Sequence, residues 1–297
     1  MNVLSIVIVN WNALGLLREC LDSIRENPPP FACETIVVDN ASGDGSVPSV
    51  AREYPWARLI ANPRNLGFAA ACNQGARAAS APLLVFLNPD ARVHAGTLAG
   101  AASFMSGHPE AGIMGCRTLN RDGSPQATAF AFPGKLRIFA YVAGLNRIFK
   151  LSRFTDHSTL STPEYVQGSF LAVRREVFEK CGGFDESFFL YFEEVDLCRR
   201  VKAAGFAVYY YPGVSITHHG GCSGGDSPAG LGHFIASGLR LVRKYRGARE
   251  ESRLRRTLRW ALRLRLLLEF IRSPRGFAAG KRALAGVSDA LAEMEGR

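Results

Sequence analysis

Three acidic residues open a predicted helix in the second half of the chain, and their types and spacing suit them to acid–base chemistry. Glu193, Glu194 and Asp196 begin the segment 193–205, in which apolar residues recur at the helical period. Aromatic residues precede them at Phe188, Phe189, Tyr191 and Phe192. Apolar surroundings raise the pKa of a carboxyl group toward neutrality, where the group can act as a general base. The alternative is that the acids only complement the positive end of the helix dipole and pair with nearby arginines.

Further polar residues stand at the ends of predicted strands. They are Asn10 after the apolar run 4–9, Asp39 after 35–38, and Asn88 with Asp90 after 83–87. In an open α/β sheet, ligands bind at the carboxyl ends of the strands. Asp39 precedes a glycine-rich turn, where its carboxylate either accepts hydrogen bonds from a ribose or base or caps the turn itself.

A metal site is a second kind of chemistry that strand ends can support. Asp90 alone is a poor site for Mg²⁺ or Mn²⁺, which prefer several oxygen ligands, although a nucleoside diphosphate could supply the missing ones. His218 and His219 follow another strand end, and a histidine in such a place is more often structural than a ligand. The chain has neither a G-x-G-x-x-G nor a P-loop motif, so a dinucleotide or P-loop phosphate site is not expected.

The elements that must position these residues follow from the hydrophobic pattern. Strand and helix patterns alternate through the first ~115 residues, which predicts an α/β fold with a Rossmann-like, mostly parallel central sheet flanked by helices. Asn12 is expected to cap the first helix, and 165–173 is expected to form a single strand. Between 120 and 162 the pattern is lost, which predicts a mobile or substrate-facing insertion with a short helix.

The positive charge of the protein is concentrated near its carboxyl end. The whole chain carries +10, but 240–282 holds fifteen Lys and Arg against three acids, which leaves the remainder slightly acidic. A nucleic-acid partner is not expected, because basicity confined to one tail is weak evidence for it. On a helical projection, an apolar stripe of Trp260, Ala261, Leu264, Leu267, Leu268 and Ile271 lies apart from Arg255, Arg256, Arg259 and Arg263. This layout predicts a helix that docks on an anionic membrane surface, and the alternative is a stripe that packs on the rest of the protein.

Composition and cysteine usage indicate the cellular compartment in which the protein is expected. The 297 residues are 47% hydrophobic and 21% charged, which excludes disorder as the main state. Seven scattered cysteines without metal-binding spacing are expected to be free thiols of a reducing compartment. No signal peptide is recognised, and no apolar run approaches the ~20 residues that a spanning helix requires. A cytoplasmic protein is expected, peripheral on the inner face of the cell membrane.

Several motifs occur in a fixed order from Ser5 to Ser223. They are SIVIVNWN, IVVDNASGDGS, NPRNLGFAAACNQG, LLVFLNPDA, VQGSFLAVRREVF, GGFDESFFLYFEEVDLCRR and HHGGCS. In this order they resemble the inverting family-2 glycosyltransferases of the GT-A fold, and among them the rhamnosyltransferase-like members. Any one motif is weak evidence, but the ordered set covers most of the chain and is specific.

The resemblance implies roles for individual residues. It implies that the nucleotide-sugar donor is held by Val9, Asn10, Asp39, Asn65, Gly67, Asn88 and Asp90. It also implies that Asp90 and His218 serve a divalent metal, Mg²⁺ or Mn²⁺, at the diphosphate, and that the acidic pair of Glu193 and Glu194 holds the base. Asn88 stands where many relatives have the first Asp of a D-x-D motif, and Glu194 stands where they usually have an Asp.

The implied activity is transfer of a sugar, with rhamnose favoured, from dTDP-rhamnose or a UDP-sugar to a hydroxyl of a saccharide or lipid-linked acceptor in cell-envelope polysaccharide synthesis. The implied GT-A catalytic domain is 1–235, with a nucleotide-binding half at 1–117 and an acceptor and catalytic half at 118–235. The remainder, 236–297, is a basic amphipathic helical tail that meets the membrane through 240–282. Two other functions are weighed against this one: a sugar nucleotidyltransferase and a non-enzymatic polybasic membrane adaptor.

Overall fold

The computed structural model describes residues 2–145, 157–220 and 227–272, and in these ranges the chain folds into an α/β structure. The strands are β1 (Leu4–Asn10), β2 (Cys33–Asp39), β3 (Arg58–Ala61), β4 (Leu83–Leu87), β5 (Ala91–Val93), β6 (Ala111–Leu119), β7 (Pro125–Gln126), β8 (Ala129–Phe130), β9 (Tyr165–Val166), β10 (Phe170–Arg174) and β11 (Ala207–His218). The helices are α1 (Leu14–Glu26), α2 (Ser46–Glu53), α3 (Phe68–Ala78), α4 (Thr97–Gly107), α5 (Lys135–Val142), α6 (Arg175–Lys180), α7 (Glu193–Ala203), α8 (Pro228–Arg246) and α9 (Ala248–Arg272).

A large mixed sheet forms the centre, with its strands in the order β3-β2-β1-β4-β10-β6-β11-β5 and with β7 paired to β6. Strands β3, β2, β1 and β4 are parallel, whereas β10 pairs antiparallel with both β4 and β6. Because β11 is parallel to β6, the carboxyl ends of β1, β2, β4, β6 and β11 lie along one edge of the sheet. The predicted α/β class with a Rossmann-like, mostly parallel sheet is confirmed, and antiparallel strands are added in its second half.

Helices cover both faces of this sheet and fix the positions of its strand ends. Strands β1 and β4 are buried throughout, which explains their continuous apolar runs. Ile6 and Ile8 of β1 pack in one cluster with Leu17 of α1. On the opposite face, α3 lies so close to β1 that a Cβ at Gly75 would overlap the side chain of Val7.

The predicted cap of α1 is wrong. The helix begins at Leu14, whose backbone N–H donates to Asp44 Oδ2 at 2.8 Å, from a loop 30 positions away in the sequence. Asn12 has a left-handed backbone with φ 51°, and its Oδ1 accepts from the Gly43 N–H at 2.7 Å. The Asn12 side chain therefore joins the β1–α1 loop to the β2–α2 loop, and the acid of the second loop caps the helix instead.

Two further segments differ from the sequence prediction. The single strand expected at 165–173 is divided, because β9 pairs with β8 in a small separate sheet while β10 joins the large one. The division falls at Gln167, whose N–H donates to Thr128 O at 2.8 Å. Helix α2 forms where no helix was expected, since its start is rich in glycine, serine and proline. The short helix expected between 120 and 162 is present as α5.

Helices α8 and α9 make up the described part of the basic region, and α9 contacts both α8 and α5. The apolar residues that α9 buries are Leu254, Leu258, Ala261 and Leu262. Trp260 is 66% exposed, whereas its neighbour in the predicted stripe, Ala261, is buried, so the two do not share one face. The stripe follows the spacing of Leu254, Leu258 and Ala261, which leaves Trp260 on the other side of the helix. The predicted stripe members Leu267 and Ile271 have side chains outside the described residues.

Internal contacts group the chain into two units. The first comprises Met1–Ala131, Phe154–Phe189 and Glu193–Gly220, and the second comprises Phe132–Arg153, Leu190–Phe192 and Gly221–Arg297. The predicted boundary between a catalytic domain and a tail at 235/236 stays a prediction, and α8 runs across it without a break. No helix within the described ranges combines the length and the apolar character that crossing a bilayer requires.

Candidate active site

The carboxyl ends of β1 and β2 are joined by a buried hydrogen-bond network. Asn10 Nδ2 donates to Asp39 Oδ2 at 2.8 Å and to Ser42 Oγ at 3.1 Å, and Asp39 Oδ1 accepts from the Ser42 N–H at 2.8 Å. Val9, one position earlier, is buried in β1. Asn10 Oδ1 is buried and has no hydrogen-bond partner among the described residues. A buried acceptor left unpaired costs free energy, so this atom is suited to a ligand group that donates.

Asn65 and Gly67 lie next to this network, on the loop before α3. Asn65 Oδ1 accepts from the Gly67 N–H at 2.9 Å, and Gly67 O accepts from Asn40 Nδ2 at 3.1 Å. Gly67 has φ 87°, and a Cβ there would overlap the carbonyl oxygen of Phe189. Only glycine therefore fits at this position. Asn40, which directly follows Asp39, is the residue that holds the loop beside β2.

Asp90 and His218 meet because of the register of two antiparallel strands. Ala91, the first residue of β5, pairs with His218 at the end of β11. Asp90 Oδ1 therefore lies 3.2 Å from His218 Nε2, and both residues are buried. Burial alone would raise the pKa of Asp90, but the hydrogen bond and charge of His218 outweigh burial and place this pKa below its usual value. Asp90 is therefore ionised at neutral pH.

The geometry distinguishes the two neighbouring histidines. His218 Nδ1 lies 3.0 Å from Gln126 Oε1, and its Nε2 lies 3.4 Å from Asn88 Nδ2. His219 points elsewhere, and its Nδ1 accepts from Arg121 Nε at 2.9 Å. The sequence left open which histidine belongs to the strand-end site, and the structure places His218 there.

Asp90 and His218 fit a divalent cation as a partial site. A carboxylate oxygen and an imidazole nitrogen 3.2 Å apart are close enough to ligate one ion, and both are ligand types found for Mn²⁺. Across the described ranges, no group of three or more His, Cys, Asp or Glu converges on a metal position. Mg²⁺ at nucleotides is commonly held by one or two carboxylates together with substrate phosphates. The pair is therefore sufficient only for a cation that a diphosphate also binds.

The predicted acids occupy different environments at the start of α7. Glu193 is buried, and burial, with the nearby charge of Glu194, raises the pKa of Glu193 well above its usual value. Glu194 is half-buried and lies against Gly168, where an added Cβ would stand 3.8 Å from its own Cβ. Asp196 is buried, and its Oδ2 accepts from Arg200 Nε at 2.7 Å. The ion pair is a structural role, and the predicted catalytic role of Asp196 stays a prediction.

A division of charge between the two glutamates follows from their environments. Two carboxyl groups close together in a low-dielectric site do not both ionise readily, so one of them keeps its proton. Glu193 is the more deeply buried of the two, and burial raises its pKa, so it is the member of the pair that is more readily protonated.

The backbone immediately before α7 is strained. Tyr191 and Phe192 both have φ 68°, a left-handed conformation that is rare for aromatic residues. Each such residue costs on the order of 1–3 kcal/mol and persists only where the surrounding structure enforces it. The strained pair directly precedes Glu193, the first residue of α7.

These elements converge on one edge of the large sheet. We call it the polar edge, and it is defined by the strand-end residues Asn10, Asp39, Asn88, Asp90 and His218. Strand β10 runs antiparallel, so it begins at the same edge, next to Glu194 through Gly168. Ser42 and Gln126 also contact residues of the polar edge, although no local sequence pattern marks them. Trp11, which occurs in the sequence only as part of a motif, is 54% exposed directly after Asn10.

An open α/β sheet with polar side chains gathered at the carboxyl ends of its parallel strands has the layout in which α/β enzymes bind their ligands. The family model of glycosyl transferase family 2 matches residues 5–182, and the chain belongs to this family. It is a rhamnosyltransferase-like member, as the curated relatives indicate.

Among these relatives, the chain is similar to the N-acetylglucosaminyl-diphospho-decaprenol L-rhamnosyltransferase of Mycobacterium tuberculosis. The identity is 30% over 288 residues, which cover 90% of this chain and 91% of that protein. It is also similar to the rhamnosyltransferase WbbL of Escherichia coli, at 33% identity over 84 residues that cover 28% of this chain and 30% of that one.

Two solved structures have similar folds. One is the mannosyltransferase PcManGT from Pyrobaculum calidifontis in complex with GDP-Man and Mn²⁺, with a TM-score of 0.58 at 19% identity over 98% of this chain and 78% of that one. The other is GalNAc-T7 with UDP, GalNAc and Mn²⁺, with a TM-score of 0.58 at 17% identity over 74% of this chain and 44% of that one. At these identities the likeness establishes the GT-A fold alone.

Proposed function

We propose that the protein transfers rhamnose, with inversion, from a nucleoside-diphosphate sugar to a hydroxyl of a lipid-linked or saccharide acceptor in cell-envelope polysaccharide synthesis. The observation that carries this proposal is the convergence of the Asn10–Asp39 network, the Asp90–His218 pair and Glu194 on the polar edge. The name of the mycobacterial relative supports rhamnose as the sugar and a lipid diphosphate as the acceptor. dTDP-rhamnose is the favoured donor, and a UDP-sugar is the next candidate.

The donor nucleotide is proposed to bind at the ends of β1 and β2. The Asp39 carboxylate has acceptor capacity beyond its two internal bonds, and Asn10 Oδ1 offers a further acceptor to ribose or base. The exposed ring of Trp11 stands one position further along, where it can stack on a base. Asn65 and Gly67 form the neighbouring wall of the same pocket.

Glu194 is proposed as the general base. It takes the proton of the acceptor hydroxyl while that oxygen attacks the anomeric carbon, and the bond from this carbon to the diphosphate oxygen breaks in the same displacement. A single displacement inverts the configuration at the anomeric carbon. Glu193 stays protonated because of its burial, so it neither competes for the proton nor repels the attacking oxygen.

Asp90 and His218 are the residues that would hold Mg²⁺ or Mn²⁺, together with oxygens of the donor diphosphate. When bound, the cation would offset the negative charge that grows on the leaving diphosphate. Asn88 is neutral where many relatives have an acid, so the protein itself supplies one carboxylate. We therefore expect weak cation binding without nucleotide and tighter binding with it. The presence of Mn²⁺ in the two similar structures supports this assignment.

An exposed basic face of α9 is proposed to dock on an anionic membrane surface, where a lipid-linked acceptor would be found. Arg256, Arg259, Trp260 and Arg263 are all exposed and follow a helical spacing of three and four positions. The Arg263 guanidinium carbon lies 5.0 Å from the centroid of the Trp260 ring. Arginine near an acidic leaflet contributes about 1 kcal/mol to binding, and tryptophan favours the interface.

Vesicle co-sedimentation tests this face. Reversing three charges in Arg256→Glu, Arg259→Glu and Arg263→Glu together is expected to lower partitioning onto anionic vesicles by about 10²-fold, while neutral vesicles bind neither protein. The matched control reverses three other exposed arginines, Arg25, Arg52 and Arg117, for the same change in net charge. Equal loss in the two triple variants would show that net charge alone, and not this face, drives binding.

The competing enzyme class is a sugar nucleotidyltransferase. Such an enzyme would bring a glycine-rich, basic loop for a triphosphate after the first strand, whereas the loop here is Asn10-Trp11-Asn12 and is tied to the loop after β2. A panel of nucleotide sugars, assayed for transfer and for slow hydrolysis, is expected to show release of nucleoside diphosphate with one preferred donor. Formation of a nucleotide sugar from a sugar phosphate and a nucleoside triphosphate, with release of pyrophosphate, would contradict the proposal. Salt-sensitive lipid binding with no nucleotide-sugar affinity would instead identify a polybasic adaptor.

A further inference from the structure

An exposed aromatic side chain lies against the loop that is proposed to form a wall of the donor pocket. Phe189 is 39% exposed, whereas Phe188 next to it is fully buried. A Cβ at Gly67 would stand 2.8 Å from Cδ2 of the Phe189 ring and 2.7 Å from the Phe189 carbonyl oxygen. Both distances are too short for a real Cβ, so only glycine leaves room here for the ring and for the backbone that carries it.

Hydrogen bonds to α3 hold the segment that carries this ring. The Phe68 N–H, at the start of α3, donates to Phe189 O at 2.7 Å. Asn73, buried in the same helix, donates through Nδ2 to Phe184 O at 2.8 Å and accepts at Oδ1 from the Phe184 N–H at 2.9 Å. Both ends of the segment 184–189 are therefore fixed to α3. A ring held in this way is preorganised, which lowers the entropic cost of binding a ligand against it.

A single exposed apolar side chain is common on protein surfaces and does not by itself indicate a function. The place of Phe189 is what distinguishes it. Phe184 and Phe188 anchor the same segment in the core, and the Phe184 ring packs edge-on against Phe86 with the centroids 4.9 Å apart. The exposed part of Phe189 is apolar surface that the fold leaves uncovered beside the Gly67 loop.

The proposed reaction defines where the donor sugar must lie. The nucleotide is proposed to contact the loop of Asn65 and Gly67, whereas the anomeric carbon must come within reach of a hydroxyl that Glu194 deprotonates. The sugar therefore lies between this loop and the start of α7. Phe189 contacts Gly67 and belongs to the segment that leads into α7 at Glu193. Its ring is therefore suited to contact the sugar rather than the nucleotide base.

The chemistry of a phenyl ring favours one kind of sugar. The ring carries no polar atom, so it contacts a sugar through apolar C–H groups and not through hydroxyls. A 6-deoxy sugar such as rhamnose has a methyl group where a hexose has a hydroxymethyl group. Burial of the methyl group against the ring is favourable and needs no hydrogen-bond partner. A hydroxyl group in the same place would leave water without gaining a partner from the ring.

We propose that Phe189 determines the preference for a 6-deoxy sugar, because its ring packs on the methyl group of the donor sugar. This inference rests on the proposed transfer of rhamnose and goes beyond it by assigning the choice of sugar to one side chain. An apolar contact discriminates only moderately against an added hydroxyl group, so the expected preference over the hydroxylated sugar is about 10- to 100-fold.

A matched pair of donors tests this role in the full chain. The value of kcat/KM is measured for dTDP-rhamnose and for its analogue with a hydroxyl group on C6, and the KM for the acceptor is measured separately. In Phe189→Ala the preference for dTDP-rhamnose is expected to fall about tenfold, because only the methyl group loses a favourable contact, and the acceptor KM is expected to stay unchanged. The ratio for two donors on one preparation does not depend on the fraction of folded protein, so poor folding of this variant would not affect the test.

Two further variants complete the comparison. Phe189→Leu keeps an apolar side chain next to the methyl group and is expected to retain a larger share of the preference than Phe189→Ala. Trp56→Ala is the control: Trp56 is also exposed, but it stands just before β3, whose amino end lies at the opposite edge of the sheet. The preference is expected to be unchanged in this variant.

Three results would overturn the inference while leaving glycosyl transfer intact. An equal loss with both donors in Phe189→Ala would show that the side chain is only structural. A raised acceptor KM with an unchanged donor ratio would show that the ring contacts the acceptor instead of the donor sugar. Equal use of the two donors by the unaltered protein would leave no preference for Phe189 to determine. No turnover of dTDP-rhamnose by the unaltered protein would instead contradict the proposed function, and with it the inference that rests on it.

Discussion

The two sides of the polar edge are built in different ways. On the parallel side, Asn10 and Asp39 each follow their own strand, and they meet because neighbouring parallel strands end at the same level. On the mixed side, Asp90, Gln126 and His218 come from the antiparallel pairings of β5 with β11 and of β7 with β6. Gln126 and Asn88 contact His218 across 92 and 130 positions of the sequence.

The chemistry of the two sides differs as well. The parallel side offers an amide oxygen, a hydroxyl and an exposed indole, which bind a ligand without changing charge. The mixed side holds Asp90, whose pKa is lowered, and the adjoining start of α7 holds Glu193, whose pKa is raised well above its usual value. Perturbed carboxyl groups are typical of sites that move protons or offset charge. We therefore propose that the donor nucleotide binds on the parallel side and that the chemical step takes place on the mixed side.

The largest expected effect is at Glu194. Glu194→Gln removes the base but keeps the shape, so kcat is expected to fall by ~10²- to 10⁴-fold while the KM for the donor changes little. Steady-state kinetics with the preferred donor measures both. Glu193→Gln is the matched control, because burial raises the pKa of Glu193 and we propose that it is the protonated member of the pair, so this variant is expected to retain most of the activity. The opposite ranking of the two variants would assign the base to Glu193.

The Asp90–His218 pair comes next. Asp90→Asn and His218→Ala are each expected to lower kcat by about 10²-fold, since the cation would stabilise several kcal/mol of charge on the leaving group. Activity of the unaltered protein should disappear in excess EDTA and return with Mn²⁺ or Mg²⁺. His219→Ala is the control, because the His219 imidazole bonds to Arg121, and the bond from its backbone N–H to Asp90 O is kept in the variant. Full turnover in EDTA would contradict the metal assignment.

On the parallel side we expect a smaller effect, confined to binding. Trp11→Ala should raise the KM for the donor about tenfold, with kcat nearly unchanged, because stacking of a base on an aromatic ring is worth about 1–3 kcal/mol. Trp56→Ala is the matched control: Trp56 is 42% exposed and packs edge-on against Tyr54. A loss of kcat in Trp11→Ala with an unchanged KM would contradict the proposal that the parallel side only binds the donor.

The smallest effect concerns the loop that supports the parallel side. Asp44→Ala removes the cap of α1 and is expected to lower the free energy of unfolding by about 1 kcal/mol in urea titrations at pH 7. Burial would raise the pKa of Asp44, but hydrogen bonds from Ser46 and from the Leu14 N–H outweigh it and lower the pKa. The stabilisation is therefore present above the unfolded pKa of about 3.9 and lost as pH falls through the lower folded pKa.

Asn12→Ala is the comparison for this cap, because Asn12 bonds the Gly43 N–H and leaves the helix end to Asp44. The difference in unfolding free energy between the unaltered protein and Asp44→Ala should shrink in acid. If it were the same at pH 3 as at pH 7, a neutral Asp44 would serve equally well and the charge of the cap would be irrelevant.

The difference between the parallel and the mixed side also explains which parts of the site the sequence could predict. Asn10 and Asp39 follow apolar runs, so the local pattern and the rule for parallel sheets were enough to place them on one edge. The insertion of β10 between β4 and β6, and the pairing of β7, depend on contacts between distant segments that no local pattern encodes. Gln126 was missed for this reason. The sequence pointed to Asn12 as the cap of α1. The observed cap, Asp44, lies on a different loop, which reaches the start of α1 only in the folded chain.

The exposed position of Trp260 teaches a related point about helical projections. The sequence showed an amphipathic basic helix, but the choice of buried stripe depends on where α5 and α8 contact α9. Leu254 and Leu258 meet those contacts and fix the stripe, and Trp260 joins the arginines instead. The predicted membrane-facing helix is therefore retained as a proposal with a different face.

The configuration at the anomeric carbon tests the central claim most directly. The donor that is preferred in the panel is incubated with the full chain and an acceptor, and NMR follows the anomeric signals of donor and first-formed product. A single displacement with Glu194 as base predicts a product of the opposite anomeric configuration, without a covalent sugar–enzyme intermediate. A product that keeps the configuration of the donor would contradict the mechanism and the division of the polar edge on which it rests.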